Sequence, residues 1–210
     1  MAEWAALYAD HVAALSTLAL RLDDDALGSH VPATPAWTVG DVLRHVAGGA
    51  ADHVTGRMDG APTPEWTARH VSERVGLTVA DLVAELRGNS EGIGNLVAEN
   101  PRPAVVWDIA VHHADLREAL GLERLPEPLW EPVMDAAAEV MLGEAAVTVR
   151  AAEREYGAGG PVVDVAPYEL FRALFSRRSR AQIGGWAGGL LGAEQVCIFG
   201  PREDDQPLPA

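Results

Sequence analysis

The segment VVWDIAVHHADLREALG, residues 105–121, carries an acid, two adjacent histidines and a second acid on one predicted helix. Carboxylate and imidazole are hard and borderline ligands for first-row divalent metals, and both are also acid–base groups. Spacing decides which of them can act together. Residues four apart on an α-helix lie about 40° apart around its axis and one turn along it. Asp108 and His112 can therefore reach one point beside the helix, and Asp115 lies on the same face. His113 is rotated by about 100° from His112 and points to solvent or to a neighbouring helix, so the adjacent histidines do not chelate one ion. A catalytic zinc-type centre has three protein ligands and an open position. The third ligand must come from another helix. His45, set among Val42, Leu43 and Val46, is the best candidate, and His53, two turns later, could flank the same side. The same residues also have a bland reading: an acid–histidine pair at this spacing stabilises a helix by only about 0.2–0.5 kcal/mol.

The elements that must position these groups follow from periodicity. Trp4, Leu7, Val12, Leu15, Leu18 and Leu22 mark an apolar stripe on a first helix over 2–22. Thr38 with Asp41, and Thr78 with Asp81, resemble capping boxes that open a second helix at Thr38 and a third running to about Asn100. Between them, GRMDGAPTPEWTARHVSERVGL predicts an ordered loop or short helix. Pro103 suits the first turn of a fourth helix ending near Gly121. A long fifth helix is expected over 129–155. PVVDVA and EQVCIF read as short strands flanking one helix, PYELFRALFSRRSRAQIGGW. The expected organisation is a helical bundle over 1–156 and a small α/β region over 157–210, with a loosely held Pro-rich tail. Bundles build metal sites from inward side chains on facing helices.

Composition narrows the function classes. The chain has 210 residues and is 48% hydrophobic, enough for a full core. A net charge of −15 repels nucleic-acid phosphates and anionic membrane surfaces, so neither partner is expected. No run reaches the roughly 18 apolar residues of a membrane span, and the N-terminus does not read as a signal peptide, so a cytoplasmic location is the default. Cys197 is the sole cysteine and reads as a buried small hydrophobe. The RRSR run at 177–180 suits a helix end, or supplies anion-binding arginines. Trp37, in PAWTVGD, reads as a hydrophobic anchor at a helix start. No Gly-rich phosphate loop sits in a strand-to-helix context.

Three segments, PAWTVGDVLRHVA, WDIAVHHADLREALG and YELFRALFSRRSRAQI, stand here in the order and at about the spacing seen in the mycothiol-dependent maleylpyruvate isomerase-like family of the DinB-like metal-binding superfamily. The chain resembles that family over nearly its whole length. The resemblance implies a mainly α fold: a DinB-like four-helix bundle with a small C-terminal α/β element. It also implies a divalent metal held by His45, Asp108 and His112, with zinc the first expectation and Ni, Fe, Co or Mn compatible with the same ligands. Many family members carry Glu at the acid position. Asp108 is shorter by one methylene, so its helix must sit closer to the ion. Asp115 is expected to orient a ligand or to pair with Arg117 or Arg44, with Trp37 backing the ligands. Arg177 and Arg178 are candidates for binding an anionic substrate or thiol.

The resemblance further implies mycothiol, the low-molecular-weight thiol of actinobacteria, as cosubstrate. In the family the metal keeps its sulfur as thiolate, which adds to an electrophilic carbon. Addition to a conjugated cis double bond, rotation and elimination give the trans isomer; related S-transferases release the adduct. The expected function is thus a metal-dependent, mycothiol-using isomerase or S-transferase acting on a small electrophilic molecule. A hydrolase using metal-bound water and a non-catalytic metal- or ligand-binding protein are the alternatives. Neither the substrate nor the oligomeric state is legible.

Overall fold

The computed structural model describes residues 3–208, in two compact units: the residues up to Leu125, and Pro126–Leu208. The expected helix start at residue 2 and the end of the tail, 209–210, lie outside the described residues.

In the first unit, α1 (Trp4–Ala19) buries Leu7, Tyr8, His11, Val12, Leu15 and Ala19, a stripe at three- and four-residue steps. It ends before Leu22, because Asp23 caps a separate short helix, α2 (Asp24–Gly28), accepting the Ala26 N–H at 2.9 Å. Helix α3 (Val39–Thr55) opens on the expected capping box. Thr38 Oγ1 accepts the Asp41 N–H at 3.2 Å, and Asp41 Oδ2 accepts the Thr38 N–H at 3.0 Å. The Gly- and Pro-rich connector folds into α4 (Pro64–Glu73), with Thr63 as cap and Pro64 at the first helical position. The second capping box opens α5 (Val79–Val97), and α6 (Ala104–Ala119) follows Pro103. Helices α1 and α3 each pack against both α5 and α6, which closes a four-helix bundle, and α4 lies on α3.

Close approach of α4 to α3 depends on Gly48. A Cβ there would sit 2.6 Å from His70 Cβ and 2.8 Å from Arg74 Nη1. Arg74 is held by a bidentate pair with Glu85 of α5, at 2.6 and 2.8 Å, so α4 cannot yield freely. Gly48→Ala is therefore expected to destabilise the chain by about 1–3 kcal/mol through overpacking. A urea-unfolding midpoint unchanged from wild type would show that α4 moves aside without cost.

The second unit departs from the expected fifth helix. Helix α7 (Glu127–Leu142) stops well before residue 155, and the chain turns into a sheet of β1 (Thr148–Ala151), β2 (Arg154–Tyr156) and β3 (Val162–Asp164), ordered β2-β1-β3. Alanine content favoured helix, but burial of Val147, Val149 and Ala151 alternates with a period of two. Strand β1 pairs antiparallel with β2 through a tight turn at Ala152, and parallel with β3. The β2–β3 connection needs glycine. Gly157 has φ of 112°, and a Cβ on it would lie 2.0 Å from the Val147 carbonyl oxygen.

The single helix expected over 167–186 is two, α8 (Pro167–Leu174) and α9 (Arg180–Ala187). Ser176 adopts φ of 60°, and Ser179 with Gln182 forms a third capping box. The expected strand EQVCIF is instead a single helical turn, α10 (Ala193–Val196), with Cys197 at its end. Its N–H groups bond elsewhere, that of Cys197 to the Ala193 carbonyl at 3.0 Å and that of Ile198 to the Leu174 carbonyl at the end of α8 at 2.8 Å, and Phe199 is exposed. Trp130, Tyr168, Phe171 and Phe175 form an aromatic cluster in this unit's core.

Candidate metal centre

The capping box that starts α3 places His45 two turns into the helix, 2% exposed on its core-facing side. Helix α6 packs against α3 and presents Asp108 and His112 toward it. Ligand atoms of His45, Asp108 and His112 all lie within 4.8 Å of one another. His45 Nε2 is 3.4 Å from Asp108 Oδ2, and His112 Nε2 is 3.5 Å from Asp108 Oδ1. Donors about 2.0–2.1 Å from a tetrahedral ion stand roughly 3.3–3.4 Å apart, so these spacings suit one small divalent cation. Asp108 is the open side of the cluster, its side chain 40% exposed while both histidines are buried.

The remaining ring nitrogens are held from behind. His112 Nδ1 donates to Asp115 Oδ2 at 3.0 Å, and the carboxylate can only accept, which leaves His112 Nε2 proton-free in the neutral ring. Asp115, 1% exposed, thus touches a candidate ligand rather than Arg44, which binds Asp41. His45 Nδ1 lies 3.1 Å from His70 Nδ1 on α4, and His70 Nε2 lies 2.9 Å from Asp52 Oδ2. Asp52 also receives Arg69 Nη2 at 2.5 Å. Burial opposes charge on Asp52, but the hydrogen bonds from His70 and Arg69 outweigh it and hold this carboxyl below its usual range. Burial pushes His70 below the ordinary histidine value, with the bond to Asp52 working the other way. Trp37 stacks obliquely 4.9 Å from the His45 ring and 6.0 Å from His112, and Trp66 meets His70 edge-on at 4.2 Å. This donor set, one carboxylate and two imidazoles whose outer nitrogens are held by Asp115 and by His70, fits a zinc-type ion.

Two other histidines stand apart from the cluster. His113 is buried against α1, its Nδ1 3.2 Å from that of His11, and burial with the neighbouring His11 lowers its pKa to about 3. His53 donates from Nδ1 to the Gly49 carbonyl at 2.8 Å. Arg177 and Arg178 belong to the second unit. Arg178 is fully buried, with Nε and Nη2 on Glu169 at 2.6 and 2.8 Å and Nη1 on the Arg177 carbonyl. Arg177 Nη1 donates to the Phe175 carbonyl at 2.8 Å.

Three groups at the site were not anticipated. Asp52 had a readable signal, since seven residues from His45 returns to nearly the same helix face. His70 had none, because its contact with His45 depends on how α4 packs. Tyr8 is 1% exposed, and its hydroxyl has no hydrogen-bond partner among the described residues. Burial, with the Asp108 charge second, raises this phenol far above its usual pKa, so it stays a proton-bearing donor.

The crystal structure of the mycothiol-dependent maleylpyruvate isomerase shares this fold, with a TM-score of 0.55 at 15% identity, over 83% of this chain and 88% of that one. A histidine-to-alanine mutant of that isomerase matches over the same shares with a TM-score of 0.51 at 15% identity. No family model and no curated protein matches the sequence. The chain thus has a mainly α, DinB-like fold with a small three-stranded sheet, the fold of the mycothiol-dependent maleylpyruvate isomerase.

Proposed function

We propose that this chain is a metal-dependent enzyme that uses a low-molecular-weight thiol of the mycothiol type to isomerise, or to add sulfur to, a small electrophilic substrate. The observation that carries the reading is the convergence of His45, Asp108 and His112 from two helices on one point. The three sequence motifs and the fold shared with a mycothiol-dependent isomerase support it. Bound there, a divalent ion would hold a thiol sulfur as thiolate at neutral pH. The protein's part is to set charge and access. Two neutral imidazoles and one carboxylate contribute a single negative charge, less than a divalent ion carries, so the site favours an anionic sulfur. The chain supplies no thiol of its own there: Cys197 is buried in the other unit, and burial raises its pKa. Of the two arginines proposed to bind an anionic group, Arg178 is the weaker candidate, because Glu169 already takes its fork. Among the described residues no helix is long and apolar enough to cross a membrane.

The test is elemental analysis of the purified chain, followed by an assay on maleylpyruvate with and without mycothiol. About one equivalent of divalent metal and turnover that requires both metal and thiol are expected. Thiol-independent hydrolysis of an ester or amide would instead assign water-based metal chemistry, and absence of metal would remove the site.

A further inference from the structure

We infer that His70 is a positioning residue for His45, and that the series Arg69–Asp52–His70–His45 decides which nitrogen of His45 is free to bind a metal. The inference rests on the reading of His45 as a metal ligand, but the proton arrangement it specifies exists without the ion.

The argument is one of donors and acceptors. His70 is 0% exposed, so water cannot serve either ring nitrogen, and each nitrogen has one protein partner. Asp52 Oδ2 already accepts from Arg69, and Arg57 Nε stands 3.7 Å from the other oxygen, so two guanidinium groups keep this carboxylate an acceptor. His70 must then carry its proton on Nε2, the atom 2.9 Å from Asp52. In a neutral imidazole the other nitrogen is an acceptor. His70 Nδ1 therefore accepts, and the atom 3.1 Å away, His45 Nδ1, must donate. The Asp108 carboxylate competes for that proton from 3.4–3.5 Å on the Nε2 side, but its side chain is 40% exposed and water can serve it, whereas the buried His70 Nδ1 at 3.1 Å has no other donor. The proton on Nδ1 leaves the His45 Nε2 lone pair turned to the cluster.

His112 reaches the same state by a direct bond to Asp115. The two histidines are thus wired by different routes, one to a carboxylate and one to a carboxylate through a second histidine. The longer route is available because Gly48 lets the His70 side chain approach α3. It also ties the orientation of His45 to the seating of α4, an element that supplies none of the three candidate ligands.

Two measurements test this on the full chain. The first is long-range 1H–15N correlation spectroscopy of the metal-free, 15N-histidine-labelled protein at pH 8. His45 is expected as the Nδ1–H tautomer and His70 as Nε2–H. His45 with its proton on Nε2, or His70 with its proton on Nδ1, overturns the inference whatever the metal does. The second is zinc affinity by competition with a chromophoric chelator. Loss of an outer partner of a ligating histidine typically weakens metal binding about 10–100-fold. His70→Phe should fall in that range. His70→Gln, whose amide can accept from His45 and donate to Asp52, should recover most of the loss. Equal loss in both variants makes His70 a packing residue, and no loss in either removes it from the site; both outcomes overturn the inference. If wild type binds no zinc, the metal reading fails by itself, and the tautomers still decide the wiring. Should His70→Phe fail to fold, the wild-type tautomers and His70→Gln carry the test.

Discussion

His45→Ala should lose tight, stoichiometric binding of a divalent ion while wild type retains it. Three donors converge here, and the two left after the substitution, Asp108 and His112, sit on one helix at i, i+4. Removing an outer partner of a ligand costs about 10–100-fold in metal affinity, so removing the ligand should cost more than about 100-fold. A second readout is thermal. An ion present at about 1,000 times its Kd stabilises the folded state by about 4 kcal/mol. Excess zinc should therefore raise the wild-type Tm by several degrees and leave that of the variant nearly unmoved. The variant also loses stability without metal, because His70 Nδ1 is left buried with no donor opposite it. Far-UV circular dichroism separates that effect from the metal effect. A variant that folds and binds zinc as tightly as wild type removes His45 from the ligand set.

The second large effect is expected far from the cluster in sequence. Arg178→Ala should destabilise the chain by about 3 kcal/mol, the lower end of the cost of breaking a buried ion pair. Arg178 is fully buried with two hydrogen bonds to Glu169 and one to the Arg177 carbonyl. Glu169 is 21% exposed at its side chain, so water recovers part of the loss on that partner. Replacing both members, Arg178→Met with Glu169→Leu, should return much of the stability, since well-packed apolar residues can substitute for such a pair. The measurement is a urea-unfolding cycle over the four proteins. Full stability in Arg178→Ala together with lost substrate binding would give the opposite result, an arginine serving the ligand rather than the fold.

Legibility in the sequence followed the range of the interaction. Capping boxes at Thr38 and Thr78 were readable because their donors and acceptors lie three residues apart. A third, Ser179 with Gln182, has the same S-x-x-Q form, and reading it would have divided the helix expected over 167–186. Alanine-rich propensity carried the fifth helix past its end at Leu142, although alternation at Val147, Val149 and Ala151 was present. There, pairing with β2 and β3 outweighed local preference, as tertiary context commonly does. The segment EQVCIF erred in the other direction: it had β-forming residues, but its backbone donors bond within one helical turn and to the end of α8 rather than to a strand.

At the candidate centre the division is sharper. One helix and its 3.6-residue turn determine that Asp108, His112 and Asp115 share a face and that His113 does not; these are local geometric facts that composition elsewhere cannot change. That His45 stands 3.4 Å from Asp108 depends on α3 packing against α6, and that His70 stands behind His45 depends on α4 seating over Gly48. Those contacts join residues 63 and 25 positions apart. No periodicity encodes them, because they arise only when buried apolar faces bring separate helices together and the buried ring nitrogens must find partners there.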